Sequence, residues 1–427
     1  TINNNKTNKK ENASKIRTSI PSVSNIDLEN ESISTNKNNK PKNRCNKHKT
    51  KPKNSSDNLS QPVDLNTYHE SLSNAQKLLL HWHHRLCHLN MNSIQDMAKL
   101  GILPKEIAKC KPPMCVYCQF SKAHKKSSNK DNPIVKDDIV NPGDLIHMDQ
   151  AVSSLPGRWL TASGKPSKKK CTTISIFVDS VSKKIFAEFQ SGATAAETLH
   201  SKKVVEQQAF HENVKFKKFR ADNGIYKSKE FHANIEDCGQ TITFCGVGAH
   251  HQNGVSERYV RTIIERARTA LISAHTKWPN IINFDLWPYA VRYAIDTWND
   301  TPRKDLNMQS PNNIFAGVKT PTATLIRQLS RYHPFGCPAY VLEAKIQDGK
   351  KLHKWAPKSH QGVYLGKSRM HSPSVTLILN TKTDHISPQY HVVMDTKFET
   401  VQSKQTNKLS LIKNLPVEFT KETLGGT

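Results

Sequence analysis

Two close pairs of metal-binding residue types restrict the fold of this chain more than any other feature. His83 and His88 form an H-x4-H pair, and Cys115 and Cys118 form a C-x2-C pair. Zinc in proteins takes four nitrogen or sulfur ligands at the corners of a tetrahedron. The pairs are separated by 26 residues, a helix-sized loop that allows all four to meet. The spacing predicts a small module that folds around a structural zinc ion.

The histidine pair has alternatives in the same stretch. His84 and His88 give an H-x3-H spacing, which places both rings on one face of a helix. His81 is a further nearby candidate. The alternative without a metal is a histidine-rich turn beside a chance C-x-x-C, but four residues of ligand type in two pairs favour a metal site.

The charge of the chain points to a polyanionic partner. It has 63 Lys and Arg against 36 Asp and Glu, a net charge of +27 and a pI of about 9.7. Nucleic acid is the expected partner of such a chain. A membrane partner is not expected, because there is no long apolar run and no basic helix with a clean apolar face.

The composition changes along the chain. Residues 1–70 hold 15 Asn and 13 Lys and Arg, with no Trp or Phe, and we expect a disordered basic tail there. Residues 71–130 then carry two helical patterns, "NAQKLLLHWHHR" and "NSIQDMAKLG". Asn92 or Ser93 is expected to cap the second helix, and Gly101 to end it.

Residues 140–302 alternate between strand-like and helical patterns, which predicts one α/β domain. Helices are expected from Gly254 to Ala274 and over "LWPYAVRYAIDTWND". In the first of these, the apolar positions keep a helical period and should face the sheet. The apolar positions of that helix are Val260, Ile263, Ile264, Ala267 and Leu271. The predicted strands of the domain are "LIHMDQ", "TTISIFVD", "KIFAEF", "VKFKKFRAD" and "TITF".

The remainder of the chain is predicted as a Pro-rich connector over 303–334, a domain of short strands over 335–400 and a tail over 401–427. The short strands, with turns between them, are typical of a small β-barrel. We expect this domain to bind DNA or a partner chain through its basic residues Lys351, Lys354, Lys358 and Lys367.

Three carboxylates in the α/β domain are candidates for catalysis. Asp149 lies at the end of the first strand, Asp222 ends a later strand, and Glu257 opens a helix. Carboxylates that converge at one sheet edge can hold two divalent ions for phosphoryl transfer. Each also has a simpler explanation, since Asp before Asn-Gly favours turns and Glu at a helix start complements the helix dipole.

Several motifs together resemble the integrase region of a copia-type LTR retrotransposon polyprotein. They are "WHHRLCH…CVYC", "HMDQ", "RADNG", "HHQNGVSER" and "FGCPAYV…KSHQGVYLGKS", in the family's order over roughly residues 75–400. The resemblance implies an HHCC zinc domain, an RNase H-like core with a D,D-35-E triad and an SH3-like C-terminal domain. The implied zinc ligands are His83, His88, Cys115 and Cys118, and the implied triad is Asp149, Asp222 and Glu257.

The chain departs from the family pattern at two points. Between Asp222 and Glu257 lie 34 residues, one fewer than the motif's name states. Cys87 stands where the family usually has glycine.

The resemblance implies DNA integration with Mg²⁺ or Mn²⁺ at the triad and Zn²⁺ in the zinc domain. We expect Arg258, Arg261 and Arg268 to contact DNA phosphates, because they lie off the apolar face of their helix. A homo-oligomer acting in the nucleus is also expected. The alternatives are an inactive, zinc-folded DNA-binding remnant of an element and a general RNase H-like nuclease.

Overall fold

A computed structural model describes residues 71–122, 139–162, 164–222, 224–244 and 254–401. The predicted basic tail, the loop histidines His250 and His251, and all but the first residue of the predicted C-terminal tail lie outside these ranges. The domain boundaries expected from the sequence therefore stay predictions, and the following concerns the described residues alone.

The N-terminal module consists of three helices: α1 (Asn74–Arg85), α2 (Met91–Lys99) and α3 (Val116–Ser121). Both predicted helices are confirmed, and Gly101 follows α2 with a φ of +74°, a conformation that favours glycine. The predicted cap of α2 was wrong. The Asn90 side chain accepts the Asn92 backbone N–H at 2.8 Å, so the helix begins earlier than expected.

The α/β core is built on a five-stranded mixed sheet in the order β3-β2-β1-β4-β5. Strands β1, β2 and β3 are antiparallel, whereas β4 and β5 run parallel to β1. This is the strand order and direction of the RNase H-like α/β fold, as expected. The elements are β1 (Leu145–Arg158), β2 (Lys170–Asp179), β3 (Ile185–Gln190), α4 (Ala195–Phe210), β4 (Lys218–Ala221), α5 (Lys229–Asp237), β5 (Thr241–Phe244), α6 (Gly254–Lys277) and α7 (Trp287–Asp300).

The sheet is buried on both faces because its strands alternate two sets of apolar side chains. In β2, Phe177 joins the apolar cluster beneath α4 and α5, while Ile176 and Val178 join the cluster beneath α6 and α7. In β3, Phe186 faces the first cluster and Ile185 the second. Burial on both faces explains the nearly continuous apolar sequence of these strands.

The predicted connector is more ordered than expected. It forms α8 (Pro311–Phe315) and α9 (Thr322–Ser330), both packed by apolar side chains. Phe315 is 2% exposed and lies against Phe186 of β3, with ring centroids 5.2 Å apart. Proline at the first turn of α8 starts that helix rather than breaking it.

The C-terminal part forms a second five-stranded sheet, antiparallel throughout, in the order β10-β6-β7-β8-β9. The sequence missed β9, which contains Pro388, because proline is confined to edge strands. An SH3-like barrel stays a prediction, since β9 and β10 are the two outer strands of this sheet. The elements are β6 (Pro338–Leu342), α10 (Ala344–Gln347), β7 (Ser359–Lys367), β8 (Thr376–Asn380), β9 (Ile386–Gln389) and β10 (Val392–Met394).

Helix α6 spans 24 residues and carries the apolar face that the sequence predicts. Ile263, Ile264, Ala267 and Leu271 are all buried, and Val260 is half-buried. This helix packs against β1 and β2 on one side and against α7 on the other. Among the helices that the structure describes, none is long and apolar enough to cross a membrane.

One charged side chain, Arg266, interrupts that buried face. It is 4% exposed, and its Nη2 donates to the Leu86 carbonyl at 2.8 Å while Nε donates to the Cys87 carbonyl at 3.1 Å. Nη2 also donates to Thr297 Oγ1 of α7 at 3.2 Å. A single guanidinium therefore joins the N-terminal module to two helices of the core.

We expect Arg266→Met to destabilise the chain by about 2–4 kcal/mol, because it removes the donor to the buried Cys87 carbonyl and one of the two donors to the Leu86 carbonyl. Arg261→Met is the matched control on the same helix. Arg261 is exposed, so its loss should change the free energy of unfolding by no more than about 0.5 kcal/mol. Urea unfolding followed by circular dichroism measures both. Equal effects of the two changes would contradict the assigned role of Arg266.

Candidate metal centre and active site

The four predicted zinc ligands meet in space. The ligand atoms of His83, His88, Cys115 and Cys118 all lie within 4.8 Å of one another. His83 Nε2 is 3.1 Å from His88 Nδ1 and 3.3 Å from Cys118 Sγ, and His88 Nδ1 is 3.6 Å from Cys115 Sγ. Zinc bonds of about 2.0–2.3 Å at tetrahedral angles require ligand separations of roughly 3.3–3.8 Å. The cluster is therefore compatible with zinc.

Local backbone conformation brings the two histidines together. His83 lies in the last turn of α1. After the helix, the backbone adopts the left-handed conformation at Cys87 (φ +52°) and His88 (φ +54°). Left-handed conformations at two consecutive non-glycine residues are unfavourable and persist only where the surrounding structure enforces them. Here they turn the chain so that the His88 ring faces His83.

The conformation of Cys87 explains why glycine is the usual residue of the family at this position. A φ of +52° is what glycine adopts without strain, so the family's glycine suits this position. In this chain the Cys87 side chain is fully buried, and its Sγ donates a weak hydrogen bond to the Arg266 carbonyl at 3.5 Å. The thiol therefore fills the contact between the module and α6, at the expense of backbone strain.

Hydrogen bonds and burial favour the protonation states in which these side chains can bind a cation. His83 Nδ1 lies 2.7 Å from the Leu89 carbonyl, which fixes the proton on Nδ1 and leaves the Nε2 lone pair facing Cys118. Burial lowers the pKa of His88 to about 3, so its ring is neutral at pH 7. A hydrogen bond from Cys115 lowers the pKa of Cys118 and favours its thiolate.

The geometry favours His83 over His84 as a ligand. His84 Nε2 is 3.9 Å from Cys115 Sγ, and His84 is not a member of the cluster whose ligand atoms share one centre. Among the residues that the structure describes, this cluster is the one group of three or more His, Cys, Asp or Glu residues whose ligand atoms lie close enough to share an ion.

We expect His83→Ala to abolish zinc binding and to loosen the N-terminal module, because three ligands remain. His84→Ala is the control, and it should retain about one zinc ion per chain. Metal analysis of the purified full chain by mass spectrometry distinguishes the two. Zinc retained in His83→Ala and lost in His84→Ala would reverse the ligand assignment.

Two of the candidate carboxylates belong to neighbouring strands. The prediction that Asp149 ends its strand was wrong, because β1 continues from Asp149 to Arg158. Asp149 is 8% exposed, and Asp222 directly follows β4. The parallel pairing of these strands sets His147 opposite Arg220. Continued by two residues on each strand, this register sets Asp149 opposite Asp222, at the spacing of neighbouring strands of about 4.8 Å.

A buried tyrosine in the segment after Asp222 lies near Asp149. Tyr226 follows Asp222 in a short 3-10 helix and is 3% exposed. Burial raises the pKa of the Tyr226 phenol well above its usual range, and the negative charge of Asp149 raises it further. The Asp149 carboxylate thus lies close to the segment that follows Asp222.

Glu257 lies in the first turn of α6, the helix whose body packs on β1 and β2. Of the three arginines predicted to contact DNA, Arg258 and Arg261 are exposed. Arg268 is half-buried, and burial lowers the pKa of its guanidinium, so it is less suited to a surface contact. A metal site shared by Asp149, Asp222 and Glu257 stays a prediction.

Sequence reasoning missed Arg266 and Tyr226. Arg266 had a usable signal, because it falls three residues after Ile263 and one before Ala267, on the apolar face. A charged residue at such a position must be paired when buried. Tyr226 had no such signal, since its position depends on how β1 and β4 pair.

The chain is similar to retrotransposon proteins. The GAG-pre-integrase domain family matches residues 55–123, which include the histidine and cysteine pairs. The "Retrovirus-related Pol polyprotein from transposon TNT 1-94" of Nicotiana tabacum is 26% identical over 283 residues, 65% of this chain. The corresponding polyprotein from transposon RE1 of Arabidopsis thaliana is 31% identical over 135 residues, 32% of this chain. The resemblance to copia-type Pol polyproteins is confirmed.

The chain spans 19% of the length of the Nicotiana polyprotein and 8% of that of the Arabidopsis polyprotein. Among solved structures, the HTLV-2 integrase catalytic core domain in complex with magnesium is similar at 18% identity and a TM-score of 0.29. That similarity covers 41% of this chain and 98% of the viral domain.

Proposed function

We propose that this chain is the integrase part of a retrotransposon polyprotein, which processes the 3′ ends of element DNA and joins them to host DNA. The observation that carries the proposal is the parallel pairing of β1 with β4, whose register at His147 and Arg220, continued by two residues on each strand, would bring Asp149 beside Asp222. Glu257 in the first turn of α6 supplies the third carboxylate. The similarity to copia-type Pol polyproteins supports the same assignment.

The donor set fits a divalent cation. Asp149, Asp222 and Glu257 offer carboxylate oxygens, the ligands that Mg²⁺ and Mn²⁺ prefer, in a chain of net charge +27. When bound, such ions activate the attacking oxygen and stabilise the leaving oxygen of an in-line displacement. The chain itself carries these carboxylates within β1, directly after β4 and in the first turn of α6.

Two displacements at phosphorus account for the whole reaction. In the first, a water oxygen bonds to phosphorus near the end of the element DNA, and the bond from phosphorus to the 3′ oxygen breaks. In the second, the freed 3′ hydroxyl oxygen bonds to a phosphorus of host DNA, and the corresponding 3′ oxygen of the host strand leaves. Neither displacement requires a covalent intermediate with the protein.

Exposed arginines next to Glu257 suit the DNA backbone. Arg258 and Arg261 lie on the first two turns of α6 and are both exposed. Contacts to phosphates release counterions, so binding to host DNA should weaken steeply as salt rises. Element ends, host DNA and further copies of this chain are the proposed partners, and the nucleus is the proposed place of action.

We expect Glu257→Gln to lower strand transfer by more than about 100-fold, or about 2.7 kcal/mol in the barrier. The change is nearly isosteric and removes only the charge. Glu265→Gln, two turns further along α6, is the matched control and should keep nearly full activity. The assay follows the joining of labelled element ends to plasmid DNA with Mg²⁺ or Mn²⁺, beside a DNA-binding measurement on each variant.

The outcomes separate the proposal from its rivals. Joining within about tenfold of wild type in Glu257→Gln would contradict the role of Glu257. A wild-type chain that binds DNA but neither cuts nor joins it would instead be the inactive remnant of an element. Cutting without joining would identify a general nuclease.

A further inference from the structure

A lysine-rich excursion connects β6 and β7 in the C-terminal sheet. Leu342 of β6 pairs with Ser359 of β7, and the chain between them leaves the sheet. Residues 345–358, named here the lysine loop, carry five lysines and one carboxylate, that of Asp348. The lysines are all exposed, and they are Lys345, Lys350, Lys351, Lys354 and Lys358.

An exposed tryptophan lies in the middle of these lysines. The Trp355 side chain is 81% exposed, whereas Trp82, Trp278, Trp287 and Trp298 are each at most 8% exposed. The Lys354 ammonium lies 5.5 Å from the centre of the Trp355 ring. A large apolar ring kept in water beside a dense positive charge is typical of a binding surface rather than of a core.

The base of the loop is fixed by hydrogen bonds. The Glu343 N–H donates to the Lys358 carbonyl at 2.9 Å, which closes the excursion where it leaves the sheet. Within it, the Lys350 N–H donates to Lys345 at 2.8 Å and the Ala356 N–H donates to His353 at 2.9 Å. A loop held in this way presents its side chains with little ordering cost on binding.

We propose that the lysine loop binds unpaired DNA, with a base stacked on the Trp355 indole and lysines against the flanking phosphates. Unpaired bases expose flat faces that stack on aromatic rings, whereas duplex DNA keeps these faces inside. Phosphates match the excess positive charge of the loop. The choice of DNA as the polyanion rests on the proposed function.

Lys367, which the sequence groups with the loop lysines, does not belong to this surface. Its ammonium forms an ion pair with Asp300 at 2.7 Å and lies 3.8 Å from the centre of the Tyr332 ring. Lys367 thereby joins the second sheet to α7. The proposed surface consists of Trp355 and the lysines of residues 345–358 alone.

The test measures binding of the full chain to a ~12-nucleotide oligothymidylate and to a duplex of equal length, by fluorescence anisotropy without divalent metal. We expect Trp355→Ala to weaken single-strand binding roughly tenfold or more, and duplex binding by less than about threefold. Trp355→Phe should stay within about threefold of wild type, because phenylalanine also stacks. Tyr390→Ala, which removes an exposed aromatic from the same region, is the control and should change neither affinity.

Each other outcome has a defined meaning. An unchanged single-strand affinity in Trp355→Ala, or equal losses for single strand and duplex, would overturn the inference while leaving the proposed function standing. A wild-type chain that binds neither form of DNA would overturn both. If Trp355→Ala alters the oligomeric state instead, the ring contacts a second copy of this chain, and the inference is wrong.

Discussion

The buried guanidinium of Arg266 is the contact on which the arrangement of the molecule depends. It ties the carbonyl groups of Leu86 and Cys87 to α6, and these residues immediately precede His88 of the histidine–cysteine cluster. The same helix carries Glu257 in its first turn, nine residues earlier. The module with the histidine–cysteine cluster and a candidate catalytic carboxylate are thus held by one helix. If the cluster binds zinc as predicted, we expect removal of the ion to loosen the segment that Arg266 holds.

The mixed sheet has the complementary role of positioning the other two carboxylates. Because β4 runs parallel to β1 as its direct neighbour, the end of β4 lies beside the first half of β1, where Asp149 is the fifth of 14 residues. Both faces of the sheet are covered by helices, which restricts the movement of these two strands. Positive charge available to DNA lies elsewhere, on exposed side chains such as Arg258 and Arg261 of α6 and the lysine loop.

The sequence predicted local features well and contacts between distant elements poorly. The helices and most strands follow from periodicity, which acts within a few residues. The histidine–cysteine cluster follows from the pairing of ligand residue types along the sequence. The cap of α2 was wrong because Asn90, a competing asparagine, caps the helix instead. The helices of the connector and strand β9 were missed, because a short helix that begins with proline and an edge strand that contains proline have weak sequence patterns. The roles of Arg266 and Tyr226 depend on partners far along the chain, which a single sequence does not reveal.

The central claim is that Asp149, Asp222 and Glu257 share a divalent cation at one edge of the sheet. Anomalous X-ray diffraction from crystals of the chain grown with Mn²⁺ locates such an ion directly. The account predicts an anomalous peak ligated by Asp149 and Asp222 at about 2.2 Å, with Glu257 beside it. Manganese bound elsewhere, with these three carboxylates engaged only by protein groups, would contradict it.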